Sequence, residues 1–339
     1  MPARLPTMDD VRAARGRLVD RALRTPLISH PALDARVGAR VLLKAESLQR
    51  VGAFKFRGAW NKIAQVDRSR FPGGVVACSS GNHAQGVAAA ATMGGLASLI
   101  VMPSDAPRMK IERTRAFGGA VHFYDRVSED RDAIAADLAI QRRADLVHPF
   151  DDPDVIAGQG TAGLELMEQA AEIGARPDLV LVPCGGGGLS SGIALAVKAA
   201  DPGCKVMTVE PAGFDDMARS LASGRRERNA ALSGSICDAL LSPSPGEITF
   251  ALASRLMSGG LVVTDAEVGC AIRFAFNELK LVLEPGGAVA LAAVLAGKVT
   301  PAGQTIACVL SGGNIDPGLF ASLISDPSSP SSGSSSDRR

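Results

Sequence analysis

Aromatic residues are scarce: they make up 4% of 339 residues, with one tryptophan and one tyrosine. That scarcity argues against the stacking platforms that hold single-stranded nucleic acid. An excess of one charge is missing too. Against 36 Lys and Arg stand 35 Asp and Glu, a net charge of +1, so neither a nucleic acid nor a membrane surface is implied as partner. No apolar run is long enough to span a bilayer. Met1-Pro2-Ala3-Arg4-Leu5-Pro6 has no secretory core behind it, and the cytoplasm is the expected location. None of Cys78, Cys184, Cys204, Cys237, Cys270 and Cys308 forms a Cys-x-x-Cys pair. They read as reduced thiols, with Cys78, Cys184, Cys270 and Cys308 in apolar or small-residue surroundings, and not as a disulfide frame or zinc site. His30, His83, His122 and His148 are scattered without metal-ligand spacing.

What the chain does have is 46% apolar and 21% charged residues, enough for a large core and, by length, for about two domains. The amino end predicts a helix over 9–23, a strand over 41–44 and a helix over 57–66. From Gly73 strands and helices alternate. Strands are predicted over 75–78, 97–102 and 121–124, helices over 85–93, 107–117 and 128–143. A second block predicts helices over 161–172, 189–199, 215–223, 247–257, 265–280 and 287–295, with strands over 179–182, 206–209, 261–264 and 305–310. Alternation at these loop lengths is the pattern of an α/β, doubly wound parallel sheet. The serine-rich tail, 325–339, is expected to be disordered.

Five stretches carry candidate chemistry. Lys55 lies among Ala53, Phe54 and Phe56, with Gly52 and Gly58 on either side. It reads either as a lysine entering a helix with its ammonium in water, or as a desolvated amine suited to Schiff-base chemistry. Pro183-Cys184-Gly185-Gly186-Gly187-Gly188-Leu189-Ser190 follows a strand and opens a helix. Side-chain-free amides at a helix N-terminus form a phosphate cradle; a flexible turn is the other reading. The run matches neither GxGxxG nor GxxxxGK[ST]. Ser79-Ser80-Gly81-Asn82-His83, at another strand-to-helix turn, suits a carboxylate, or is ordinary capping by Ser80 or Asn82. Ser311-Gly312-Gly313-Asn314 offers a serine to a ring nitrogen, or is a capped turn. Glu210 with Asp215-Asp216 suits Mg²⁺ or Ca²⁺, although locally a strand-end acid and a helix cap explain them as well. A reactive lysine, a monophosphate cradle and no nucleotide motif together point to pyridoxal phosphate.

With those stretches in order, the sequence from about Thr25 to Asp316 resembles the fold type II pyridoxal-phosphate enzymes (tryptophan synthase β-like), in the threonine dehydratase and serine racemase branch. His148-Pro149-Phe150-Asp151-Asp152-Pro153, within a longer run to Thr161, adds to the match. The resemblance implies two open, mostly parallel sheet domains with the active site in the cleft. The larger would comprise 1–72 and 148–324, and the smaller, mobile one 73–147. It implies that Lys55 carries the cofactor and that Phe54 backs its ring. Asn82 would bond the 3-oxygen. Gly185, Gly186, Gly187, Gly188 and Leu189 would hold the phosphate, and Ser311 would face the ring nitrogen with Glu284 near it. Ser79, Ser80, Asn82 and His83 would bind the substrate carboxylate, with Ser80 returning a proton to Cα where racemisation occurs. Glu210, the Phe214 carbonyl and Asp216 match the family's divalent-cation site, with Mg²⁺, Ca²⁺ or Mn²⁺ as candidates.

The implied activity is a threonine/serine ammonia-lyase. Serine racemase and 3-hydroxyaspartate ammonia-lyase are the sister alternatives, and a non-catalytic phosphometabolite-binding protein the remote one. A small amino acid is the expected substrate and a homodimer the expected assembly. No regulatory domain is expected after Asp316. Two departures stand out: Cys237-Asp238-Ala239 where the family often has Ala-Asp-Gly, and Phe150 where racemases tend to carry a polar residue. Arg57, Arg225 and Arg226 are cationic, but nothing in the sequence puts them at a substrate side chain.

Overall fold

The computed structural model describes residues 4–125, 127–300 and 303–325. In chain order the elements are α1 (Met8–Leu18), β1 (Leu27–Ser29), α2 (Pro31–Val37), β2 (Arg40–Lys44), α3 (Lys55–Ile63), β3 (Val75–Cys78), α4 (Asn82–Gly94), β4 (Ser98–Pro103), α5 (Arg108–Ala116), β5 (Ala120–Tyr124), α6 (Arg131–Arg142) and β6 (Asp145–Leu146). Then come α7 (Pro153–Glu172), β7 (Leu179–Pro183), α8 (Gly188–Ala200), β8 (Lys205–Pro211), α9 (Asp216–Ser223), α10 (Glu247–Leu256), β9 (Gly260–Val263), α11 (Asp265–Phe274), α12 (Pro285–Leu295), β10 (Thr305–Val309) and α13 (Pro317–Ser325). Among the described residues no helix is long and apolar enough to cross a membrane.

The strands form two sheets. One is six-stranded in the order β1-β2-β10-β7-β8-β9, and the other four-stranded in the order β5-β4-β3-β6. Every pairing is parallel except the edge pair β1–β2. The four-stranded sheet is drawn entirely from the middle of the chain, and the six-stranded sheet from both sides of it. Strand β2 shows why the larger sheet needs two covers. Val41 and Leu43 pack into a core shared with α11 and α12, whereas Leu42 packs into one shared with α7 and α8. Successive side chains leave opposite faces, so both faces are buried.

Several boundaries differ from the sequence reading, each for a local reason. Helix α7 starts at Pro153, not near Thr161, because Asp152 accepts from the amides of Asp154 (2.8 Å) and Val155 (3.0 Å) and Pro153 occupies the first turn. Its glycines do not break it; they let neighbours approach. A Cβ on Gly158 would lie 2.7 Å from the Cα of Gly58 on α3, and one on Gly160 would lie 2.8 Å from the carbonyl of Gly192 on α8. The helix expected over 265–280 ends at Phe274 in a π-type turn over 275–279. Elements β1, α2, β6 and α13 had no counterpart in the sequence reading. Ser325 closes α13, which corrects the expected disorder at that residue; the rest of the expected tail, 326–339, lies outside the described residues. None of the six cysteines is in a disulfide, and Cys184, Cys204, Cys237 and Cys308 are buried; Cys270, in small-residue surroundings along the chain, is exposed instead.

A buried ionic cluster locks the base of α3. The Arg57 guanidinium donates to both Glu46 oxygens (2.8 Å each) and to Glu165 (2.7 and 2.8 Å). Lys44 Nζ donates to Glu165 (2.7 Å), Gln169 (2.9 Å) and the Thr25 carbonyl (2.8 Å). Both cations are fully buried, a cost repaid only when every donor is paired. The cluster ties β2, α3 and α7 together, and it fixes the chain two residues beyond Lys55.

Candidate active site

The loop carrying Lys55 is held against the loop that follows β10. Gly313 N donates to the Gly52 carbonyl (2.9 Å), Phe54 N donates to the Ser311 carbonyl (3.1 Å), and Ala53 bridges Gly312. This pairing sets Lys55, at the first position of α3, beside Ser311. The Lys55 amine is half-buried at the edge of a cavity. It donates to the Pro149 carbonyl at 2.6 Å and lies 5.2 Å from the centre of the Phe54 ring. Burial lowers its pKa to about 8, although the nearby Glu284 acts in the opposite sense.

A cavity of about 220 Å³ opens at this amine. Two helices begin on its wall, and neither has a side-chain cap. Helix α8 is preceded by Gly187, whose φ of +95° favours glycine. Helix α4 is preceded by Gly81. The capping expected of Ser80 or Asn82 does not occur; instead Ser79 Oγ accepts from Gly81 N at 3.1 Å. Uncapped first-turn amides and two helix dipoles therefore converge where an anion gains most. Gly185 to Leu189 line one side of the cavity, and Ser79, Ser80, Asn82 and His83 another.

Between these walls runs a hydrogen-bonded row. Arg113 donates to Asn314 Oδ1 (2.9 Å), Asn314 Nδ2 to Asn82 Oδ1 (2.7 Å), and Asn82 Nδ2 to Glu284 Oε1 (2.6 Å). One hydrogen on Asn82 Nδ2 remains available. Burial, with Asp238 adding to it, raises the Glu284 pKa to about 8, so its carboxyl is mostly protonated at neutral pH. Ser311 Oγ lies 3.5 Å from the Gly286 carbonyl, at the limit of a hydrogen bond, and faces the cavity. His83 lines the cavity but is nearly fully buried. Its Nε2 lies 2.9 Å from the Val147 carbonyl and its Nδ1 has no partner. Burial lowers its pKa to about 3, which keeps the ring neutral.

These residues fit pyridoxal phosphate on the structure's own terms: a desolvated amine for an aldehyde, a side-chain-free cradle for a phosphate, and a hydroxyl available to a ring nitrogen.

The candidate cation residues lie apart from the cavity lining. Glu210 is buried, and its oxygens accept from Met217 N (2.9 Å) and Ala218 N (2.8 Å), capping α9. Asp216 Oδ1 accepts from Asn229 (2.6 Å), while Oδ2 is buried without a partner. Burial is the main cause that raises both pKa values, that of Asp216 to about 6, and proximity to Asp216 adds to the shift of Glu210. A cation would relieve that cost. Among the described residues, however, no set of three or more His, Cys, Asp or Glu side chains forms a metal-binding group.

Sequence reasoning missed the cations on the cavity wall. Lys110, Arg113 and Arg131 all line it. Lys110 is paired with Asp238, and Arg113 with Asn314. Among the described residues the ion pair of Arg131 is with its neighbour Asp132, at 3.7 Å, which is too long for a hydrogen bond. It is the first residue of α6, and no local pattern distinguishes it from other surface arginines. Arg57 is absorbed by the buried cluster, while Arg225 and Arg226 bond Glu227, Glu247 and the Pro245 carbonyl.

Comparison with known proteins agrees with this geometry. The family profile described as "Pyridoxal-phosphate dependent enzyme" matches residues 20–312. An L-threo-3-hydroxyaspartate ammonia-lyase from Pseudomonas sp. is 42% identical over 320 residues, 94% of this chain and 99% of that protein. The crystal structure of a threonine deaminase from T.th. superposes with a TM-score of 0.86 at 45% identity, covering 92% of this chain and 99% of that one. Maize serine racemase gives a TM-score of 0.88 at 36% identity, covering 95% and 98%. The chain belongs to the fold type II pyridoxal-phosphate dependent enzymes, in the branch of threonine deaminases, serine racemases and hydroxyaspartate ammonia-lyases.

Proposed function

We propose that this protein is an ammonia-lyase for small β-hydroxy amino acids and that it prefers a substrate with a second carboxylate, of the 3-hydroxyaspartate type, over threonine and serine. The observation that carries the lyase reading is the desolvated Lys55 amine between two uncapped helix N-termini. The preference rests on Arg131, a cavity-lining cation whose nearest carboxylate is 3.7 Å away. The similarity to a hydroxyaspartate ammonia-lyase points the same way.

In this reading Lys55 holds the cofactor, Gly185, Gly186, Gly187, Gly188 and Leu189 grip its phosphate, and Phe54, Asn82 and Ser311 contact its ring. The cofactor, when bound, supplies a conjugated sink for negative charge at Cα. Ser79, Ser80 and the first amides of α4 hold the α-carboxylate. With substrate bound, the Lys55 amine would be the base for the Cα proton. In the net reaction a β-hydroxy amino acid would give a 2-oxo acid and ammonia: the proton taken by Lys55 would leave with the β-hydroxyl as water, and one water would return in hydrolysis of the product. Ser311 would offer the ring nitrogen a hydroxyl, which cannot protonate it as an aspartic acid would, so the group would supply a weaker sink. Ser80 would return a proton to Cα in the racemase alternative.

A panel of L-threonine, L-serine, D-serine and both L-hydroxyaspartate diastereomers tests this, with 2-oxo acid and the chirality of recovered substrate as readouts. The expected result is oxo acid from all L-β-hydroxy substrates, with the highest kcat/KM on one hydroxyaspartate. Inversion of serine without oxo acid would replace the lyase with the racemase.

We also propose a divalent cation held by Glu210, Asp216 and the Phe214 carbonyl, on the strength of the unpartnered Asp216 oxygen and the raised carboxyl pKa values. Ligand binding to the folded state raises its melting temperature. EDTA is expected to lower the Tm and Mg²⁺ to restore it; an unmoved Tm would count against the site.

A further inference from the structure

One four-residue segment touches both halves of the candidate active site. The Pro149 carbonyl accepts from Lys55, and His148 Nδ1 accepts from Asp151 N at 2.8 Å. The Phe150 ring lies against the tetraglycine run, where a Cβ on Gly186 would come within 2.5 Å of it. Asp151 then reaches α10, whose own cap residue, Gly246, provides no side-chain bond. One carboxylate oxygen of Asp151 accepts from Glu247 N (2.8 Å), and the other from Ile248 N (2.9 Å) and Thr249 N (3.1 Å). A carboxylate at this end of a helix is favoured by both the free amides and the dipole. The first turn of α10 in turn holds the cradle. Thr249 Oγ1 donates to the Gly186 carbonyl at 2.7 Å, and Gly246 N donates to the same oxygen at 3.3 Å.

We propose that Asp151 is a positioning residue for the phosphate cradle, acting through the N-terminus of α10 and Thr249 on the Gly186–Gly187 peptide. A peptide unit is planar and trans. Drawing the Gly186 carbonyl toward α10 therefore turns the Gly187 amide the opposite way, and Gly187 lines the cavity. Glycine has no side chain to impose that orientation, so an outside hold is needed. The role deepens the reading of this loop as a phosphate site and rests on it.

The test compares two probes, pyridoxal phosphate and pyridoxal, which differ only in the phosphate. Dissociation constants are measured for wild-type protein, Asp151→Asn, Thr249→Val and the double variant, with the Tm of each cofactor-free protein. Each single variant is expected to weaken pyridoxal phosphate about tenfold and pyridoxal less than about twofold. The double variant is expected to fall well short of the product of the two effects, because both substitutions act on one chain of contacts. Equal weakening of both probes, or fully multiplicative effects, overturns the proposal, since general loosening predicts either. Should Asp151→Asn fail to fold, Thr249→Val decides alone: phosphate-specific weakening supports the role and its absence sinks it. Wild-type protein that binds the two probes equally refutes the cradle itself, a failure visible before any substitution is made.

Discussion

Replacing Lys55 with alanine is expected to abolish covalent capture of pyridoxal phosphate and to lower turnover by at least about a thousandfold, since nucleophile and base are lost together. The expectation rests on the environment of the amine and not on its identity alone. An ordinary lysine amine titrates near 10.5, and burial brings this one to about 8. At pH 7.5 that raises the neutral fraction from about one in a thousand to about one in four. The rate of cofactor capture by wild-type protein should therefore climb through pH 8 and level off near pH 9. The sign for stability runs the other way. The folded pKa lies below the unfolded one, so folding disfavours the ammonium. The penalty is fully present below pH 8 and fades as pH rises toward 10.5. Cofactor-free Lys55→Ala should then melt no lower than wild type at pH 7. Loss of capture in a well-folded variant separates chemistry from collapse. A variant that still forms a borohydride-reducible adduct at one site, with its visible absorbance, would show that another amine does the work.

What the linear sequence reveals and what it hides divide along contiguity. The tetraglycine run and the Ser79–His83 turn are legible because anion binding by a helix N-terminus uses consecutive amides, and the residues stand side by side. Lys55 is legible because its apolar neighbours are adjacent. The parallel sheets follow from alternating strands and helices, a pattern also local in origin. Asp151 and Thr249 are 98 residues apart, and Arg113 and Asn314 are 201 apart. No periodicity joins such pairs; only the packing of α5, α7 and α10 does. The same distinction explains α7. Its Gly158 and Gly160 are contact points for α3 and α8, partners that no local pattern reveals. Locally Glu210 reads as a strand-end acid and Asp215-Asp216 as a helix cap. Glu210 does lie at the end of β8, but it is Glu210, not Asp215, whose side chain accepts from the first amides of α9, and the buried, unpartnered Asp216 oxygen has no local signal.

Arg131→Met should remove the preference for a second carboxylate while leaving reaction with L-serine largely unchanged. The side chain is about half exposed, with 51% of its surface open, so in the open cleft its charge is screened and worth little. A bound dicarboxylate changes that balance, because it excludes water and brings an anion to the guanidinium. A hydrogen bond to a charged group contributes roughly 1.5–3 kcal/mol. Removing it should therefore lower kcat/KM on 3-hydroxyaspartate by about ten- to a hundredfold, while L-serine, which presents no second anion, should change less than about threefold. Methionine retains an apolar stem, so packing of this side chain is largely spared. Arg131→Lys should recover part of the loss, since it restores the charge without the bidentate fork. Rising salt should raise KM for hydroxyaspartate more steeply than for serine in wild-type protein, and that difference should vanish in Arg131→Met. Equal losses on both substrates would assign Arg131 to the architecture of α6. No loss on either would leave the second carboxylate to Lys110 or Arg113, each of which would first have to leave the partner it already holds.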